Sequence, residues 1–167
     1  DRQGAAALET VQQDIVYEGV SFTYEGDLVL KDITLRVQAG EAVAIVGESG
    51  SGKSTILDLL PRFYDVTSGR ILIDGTDVRD LTQRSLREQI GIVLQDTFLF
   101  SQSVMENIRF GRPDATDEEV MAAIKLANAD SFIERLPEKY DTVLGERGSG
   151  LSQGQRQLLS IARAALS

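Results

Sequence analysis

Apolar residues first recur with a strand-like rhythm between Asp14 and Tyr24, through Ile15, Val16, Tyr17, Val20, Phe22 and Tyr24. A Glu25-Gly26-Asp27 turn follows. Between Leu28 and Val37 apolar Ile33, Leu35 and Val37 alternate with Thr34 and Arg36, which predicts a half-buried antiparallel strand. Ala39-Gly40-Glu41 then turns the chain into the unbroken run Ala42-Val43-Ala44-Ile45-Val46, the pattern of a buried strand. Beyond a glycine-rich stretch, Ser54 to Leu60 reads as a helix that stops near Pro61, whose ring cannot continue the hydrogen-bond ladder. Ser68-Gly69-Arg70 opens a short strand, Ile71-Leu72-Ile73, closed by the Asp74-Gly75 turn. A short polar helix over Leu81 to Gln89 and a second buried strand over Ile90 to Leu94 complete this half.

From residue 97 to 166 the spacing becomes helical. Thr116 and Glu119 have capping-box spacing, and Val120, Ile124 and Ala127 then share one face. Phe132, Ile133 and Leu136 continue apolar to Pro137. A loop with Gly145, Gly148 and Gly150 leads to a last helix, Ser152 to Leu166, with Leu158, Leu159, Ala162, Ala165 and Leu166 as its apolar face. Residues 1–13 show no alternation and read as a linker or frayed terminus. The pattern predicts an α/β domain over 14–167, with antiparallel strands in front, a phosphate-binding core and a helical segment over about 97–166.

Composition narrows the chemistry. The 167 residues are 42% hydrophobic and 26% charged, ordinary for a globular domain. Cysteine and histidine are both absent, which removes disulfides, thiolate metal sites and imidazole chemistry, so any metal must be held by oxygen. The net charge of −9 would not draw a polyanion such as nucleic acid to the body of the molecule. Acidic residues are confined to positions 1–146, and beyond them stand only Arg147, Arg156 and Arg163. That basic tail fits either a solvated helix face or a counterweight to a bound nucleotide.

The chemistry concentrates in Gly47-Glu48-Ser49-Gly50-Ser51-Gly52-Lys53-Ser54-Thr55, which satisfies G-x-x-x-x-G-K-[ST] between a predicted strand and a predicted helix. Glycines let the backbone curl so that several N–H groups converge at a helix N-terminus, a concave anion site. Lys53 adds a point charge for the β- and γ-phosphates, and the Ser54 hydroxyl can hold Mg²⁺. A second anion site is offered where Leu151-Ser152-Gln153-Gly154-Gln155 opens the last helix, with Ser152 and Gln155 at capping-box spacing. Taken alone, that second stretch suits an ordinary capped helix as well as a ligand site.

Together these stretches resemble the nucleotide-binding domain of an ABC (ATP-binding cassette) transporter, of exporter type. GESGSGKST resembles Walker A, and LSQGQ with Arg156-Gln157 resembles the signature usually written LSGGQ. Gln95 in VLQD matches the Q-loop, and Tyr24 in SFTYEGD matches the aromatic that stacks on adenine. Asn107-Ile108-Arg109-Phe110-Gly111 and Gly145-Glu146-Arg147-Gly148 resemble exporter-specific segments, the latter the X-loop. The resemblance implies a P-loop NTPase core that takes ATP and Mg²⁺. By it, Lys53 and Gln95 serve the reaction, Ser54 and Gln95 hold the metal, and Thr55 contacts the α-phosphate. Ser152, Gly154 and Gln155 would close on ATP held by a second nucleotide-binding domain in a head-to-tail dimer. It further implies a transmembrane domain as partner, a place on the cytoplasmic face of a membrane, and no nucleic acid.

Two departures qualify the resemblance. Gln153 stands where the signature more often has Gly, a tolerable change if that position offers its backbone. The family's Walker B aspartate, catalytic glutamate and switch histidine follow the signature helix, whereas this sequence ends at Ser167. The expectation is therefore an incomplete cassette that alone binds nucleotide poorly and hydrolyses it negligibly, its parent being a transport ATPase. Two other readings stay open: a non-hydrolysing binding or dimerisation module, and a soluble ABC ATPase.

Overall fold

The computed structural model describes residues 1–94 and 96–167. The chain divides into two compact units, Asp1–Ile90 and Gly91–Ser167.

The first unit is built on a four-stranded antiparallel sheet of order β2-β1-β3-β4, with β1 at Asp14–Tyr24, β2 at Asp27–Gln38, β3 at Ser68–Ile73 and β4 at Thr76–Asp77. Its two tight turns follow from their residues. Glu25 and Gly26, and again Asp74 and Gly75, all have positive φ, as the two-residue turns that match strand twist require. The β1–β2 ladder runs from Asp14 opposite Gln38 to Tyr24 opposite Asp27, with three register shifts along it. Helix α1, Lys53–Leu59, buries Ile56 and Leu59 in the same core as Tyr17, Val20, Phe22, Leu30, Ile71 and Ile73. It ends before Pro61, as expected. The short polar helix expected over 81–89 forms as α2 at Gln83–Glu88, which Thr82 caps, after a single 3₁₀ turn at Val78–Asp80.

Two sequence expectations fail. Neither Ala42–Val46 nor Ile90–Leu94 forms a strand. Val46 is 87% exposed and Leu94 66%, and neither run pairs with a strand among the described residues. The apolar pattern of a doubly covered strand is present, but among the described residues neither run has a ladder partner, although Ile45 and Ile90 are partly buried against the core. Residues 1–13 also differ from a frayed end. They hold no helix or strand, yet the Ala6 N–H donates to the Asp80 carbonyl at 2.8 Å and the Ala6 carbonyl accepts from Thr82. Further along, the N–H groups of Gln12, Gln13 and Asp14 converge on the Asp74 carboxylate at 2.7–3.0 Å.

The second unit is helical, as the periodicity predicts: α3 at Val104–Arg109, α4 at Asp117–Leu126, α5 at Asp130–Ile133 and α6 at Gln153–Leu166. Both expected capping boxes form, on Thr116–Glu119 and Ser152–Gln155. Val120, Ile124 and Ala127 are buried together with Val104, Ile108, Phe132, Ile133, Leu159, Ala162 and Leu166 in one core. Ala165, placed on the apolar face from the sequence, is exposed, one residue around from buried Leu166.

Candidate nucleotide-binding site

The first unit presents the glycine-rich loop at the start of α1. Gly52 caps the helix with φ 86°, a left-handed conformation that side chains with a Cβ adopt at a cost. A Cβ there would also lie 2.7 Å from Leu30 Cδ2 and 3.3 Å from the Val29 carbonyl oxygen, so the loop packs closely against β2. Leu30 in turn stands opposite Phe22 across the β1–β2 ladder, which brings the loop to the Tyr24 end of the sheet. The helix is further pinned from below. The buried Tyr17 hydroxyl donates to the Ile56 carbonyl at 2.8 Å, and burial pushes the Tyr17 phenol well above its ordinary pKa.

Within the loop, Lys53 folds back over the turn. Its ammonium donates to the carbonyls of Gly47 at 2.9 Å and Glu48 at 2.5 Å and lies 3.4 Å from Ser51 Oγ. The Ser51 N–H closes the turn on the Glu48 carbonyl at 3.2 Å. Gly47 to Ser51 and Ser54 are exposed, while Gly52, Lys53 and Thr55 are half-buried. The cation is thus held at the loop by neutral carbonyls, an arrangement that an anion can replace with a stronger, charge-assisted one.

Tyr24 ends β1 and is 48% exposed. It is not alone there: Phe22 and Tyr64 lie within 6.5 Å and 5.7 Å of it, ring centre to ring centre. Tyr64 was not singled out from the sequence, although two consecutive aromatics, Phe63 and Tyr64, just past a helix-ending proline are out of place in a plain solvent turn.

In the second unit, Ser152 to Gln155 form the start of α6. The Ser152 Oγ accepts the Gln155 N–H at 3.2 Å, and the Gln155 side chain accepts the Ser152 N–H at 2.9 Å. Both side chains are therefore engaged in the cap, leaving Gln153 and Gly154 exposed beside them. Arg156 turns back to donate to the Leu151 carbonyl at 2.7 Å. Gln153 and Arg156 share an open groove of about 590 Å³ with Asp96, Phe98, Glu146 and Arg147, so the signature-like and X-loop-like stretches line one surface. Gln95 lies outside the described residues.

Asn107, in the other exporter-like stretch, serves the fold. Fully buried, it accepts the Phe100 N–H at 2.8 Å and donates to the carbonyls of Phe100, Gln102 and Ser103. Arg163 donates to the Asn107 and Phe98 carbonyls at 2.9 and 3.0 Å, and its burial lowers its pKa from the usual arginine value. One member of the basic tail is thus committed to internal packing. Gly111 follows because a Cβ there would collide with the Arg163 carbonyl.

Comparison with known proteins bears on the same residues. The ABC transporter family pattern matches residues 30–167. The chain is 55% identical, over 99% of its length, to "Putative multidrug export ATP-binding/permease protein YgaD" of Bacillus subtilis, and covers 29% of that protein. It is 57% identical over 99% of its length to "Uncharacterized ABC transporter ATP-binding protein YfiC" of the same organism, covering 28% of it. Among solved structures, a bacterial Atm1-family ABC exporter with ATP bound superposes with a TM-score of 0.91 at 48% identity, over 99% of this chain and 30% of that one. The chain thus spans under a third of the length of these relatives. With a family pattern running through both the glycine-rich loop and the LSQGQ helix, the chain belongs to the ABC transporter family, in which it has the fold of the nucleotide-binding domain.

Proposed function

We propose that this chain is the ATP-binding part of an ABC exporter, and that the intact protein is an ATPase which couples ATP binding and hydrolysis to export across a membrane. The observation that carries the reading is the Gly47–Thr55 turn, where left-handed Gly52 opens α1 and the Lys53 ammonium is gathered onto the loop's own carbonyls. On this reading the triphosphate displaces those carbonyls from Lys53, which then bridges the β- and γ-phosphates. The backbone N–H groups from Gly50 to Ser54 cradle the anion, Thr55 meets the α-phosphate, and the exposed Tyr24 ring stacks on adenine. Gln95 would reach Mg²⁺ or the attacking water.

The donors present suit Mg²⁺. Ser54 offers an exposed hydroxyl, and no group of three acidic residues among those described could hold a metal by itself, so the ion would arrive on the phosphates. Ser54 and Gln95 would hold the ion, which would supply neutralisation of the phosphate charge. Ser152, Gly154 and Gln155 serve a second cassette, closing on the γ-phosphate of its ATP in a head-to-tail dimer. ATP then favours the closed pair, and its loss the open one. The export names of YgaD and of the ATP-bound Atm1-family structure support a transmembrane partner and a site at the cytoplasmic membrane face.

Titrating ATP with Mg²⁺ into the chain is expected to give binding that Lys53→Ala weakens by about ten- to hundredfold, the worth of a charge-assisted contact. Equal affinity in the two proteins would sink the proposal. Turnover followed in the same samples separates a hydrolysing domain from a module that only binds.

A further inference from the structure

Tyr64 sits in a short loop that is held more firmly than its position between α1 and β3 demands. Arg62, only 9% exposed, adopts φ 55° and donates to the Asp65 carboxylate at 3.0 Å and toward the Val78 carbonyl at 3.4 Å. Arg87 reaches in from α2, donating to the carbonyls of Pro61 and Arg62 at 2.9 Å each, with its guanidinium 5.3 Å from the centre of the Phe63 ring. The Phe63 N–H is tied to the Asp58 carbonyl in α1. What this lattice presents is the Tyr64 ring, near-perpendicular to Tyr24 at 84° and 5.7 Å, and tilted on Phe22 at 5.6 Å. The Tyr24 hydroxyl beside it raises the Tyr64 pKa from its ordinary value.

Tyr24 ends a strand at a two-residue turn and is half-exposed, so without a neighbour its ring would swing between rotamers. A swinging ring loses that freedom when a base stacks on it, and the loss subtracts from affinity. We propose that Tyr64 is a positioning residue for nucleotide: held by Arg62 and Arg87, it fixes the plane of the Tyr24 ring so that the platform for the base is formed before the base arrives. This rests on the ATP-binding reading above. Tyr64 acts through Tyr24, so it bears on the base and leaves the phosphates to the glycine-rich loop.

The test compares Mg-ATP with inorganic tripolyphosphate, by calorimetric titration of the full chain. Tyr64→Ala is expected to weaken ATP by about three- to tenfold, the scale of one aromatic pair, and to leave tripolyphosphate unchanged. Tyr64→Phe keeps the ring and is expected to bind ATP like the wild type. In a Tyr24→Ala background, Tyr64→Ala is expected to change nothing further. Should Tyr64→Ala fail to fold, Arg87→Ala, which loosens the loop from outside, is expected to show the same selective loss of ATP. Unchanged ATP affinity, an equal loss on tripolyphosphate, or a full loss that persists without Tyr24 would each overturn the role of Tyr64. A wild-type chain that binds ATP no better than tripolyphosphate overturns it too, by removing the platform. A wild-type chain that binds neither ligand overturns the ATP-binding reading itself.

Discussion

Asn107 shows how a residue from a functional-looking stretch can be devoted to architecture. Its side-chain amide pairs with three backbone carbonyls and one N–H in the segment from Phe100 to Ser103. Truncation to Ala would leave the Phe100 N–H without its partner, a cost of about 1–3 kcal/mol, while the three carbonyls keep backbone donors from Gln102, Leu144 and residue 107 itself. Asn107→Ala is expected to destabilise the second unit by about 2 kcal/mol in a denaturant titration followed by circular dichroism. A loss below about 1 kcal/mol would mean that water replaces the amide without penalty. At the same scale motif residues carry a spacing signal in the sequence and their supports carry none. Gly52, Lys53 and Ser152 are recognisable by spacing. Tyr17, Arg62 and Arg87 have no spacing signature, because they reach the site through the tertiary fold from 20 or more residues away or around a turn.

Among the elements, the stretch 1–13 departs furthest from its sequence pattern. Irregular in pattern, it reads as a linker or frayed terminus, yet its Gln12 and Gln13 N–H groups, with that of Asp14 at the start of β1, converge on one carboxylate on the β3–β4 turn. The Gln12 N–H first, then those of Gln13 and Asp14, hold the Asp74 carboxyl below its ordinary pKa against a smaller opposing effect of desolvation. A carboxylate whose folded pKa is depressed stabilises the attached state above the unfolded value, and that contribution is lost as pH falls through the folded one. Acidification below the ordinary aspartate range is therefore expected to release this segment first. Amide protection at Gln12, Gln13 and Asp14, corrected for intrinsic exchange, should drop there, and Asp74→Asn should lower it already at neutral pH. Protection that is independent of both would refute the clasp.

For the whole molecule, the runs Ala42–Val46 and Ile90–Leu94 matter most. Val43, Val46, Ile92, Val93 and Leu94 are each between 42% and 87% exposed, in runs whose composition suits buried strands. Exposed, unpaired apolar segments of high β-propensity invite pairing with another chain. The 167-residue chain is expected to self-associate as its concentration rises, seen as growing light scattering. Val46→Ser with Leu94→Ser should reduce that growth. Monodisperse monomer throughout the range would show that these runs are not sticky.

Sequence alone determined what depends on near neighbours along the chain. The Glu25-Gly26 and Asp74-Gly75 turns, the Thr116 and Ser152 caps, the end of α1 before Pro61 and the glycine-rich loop all followed from local rules, since the atoms that meet are only a few residues apart. Only the tertiary structure decided what depends on distant partners. It withheld ladder neighbours from 42–46 and 90–94 among the described residues, because an apolar run specifies burial without specifying by what. It placed Tyr64 against Tyr24, bound residues 12–14 to Asp74 and set Tyr17 under α1, because those contacts are chosen by the packing of the sheet and leave no periodic trace in the residues that make them.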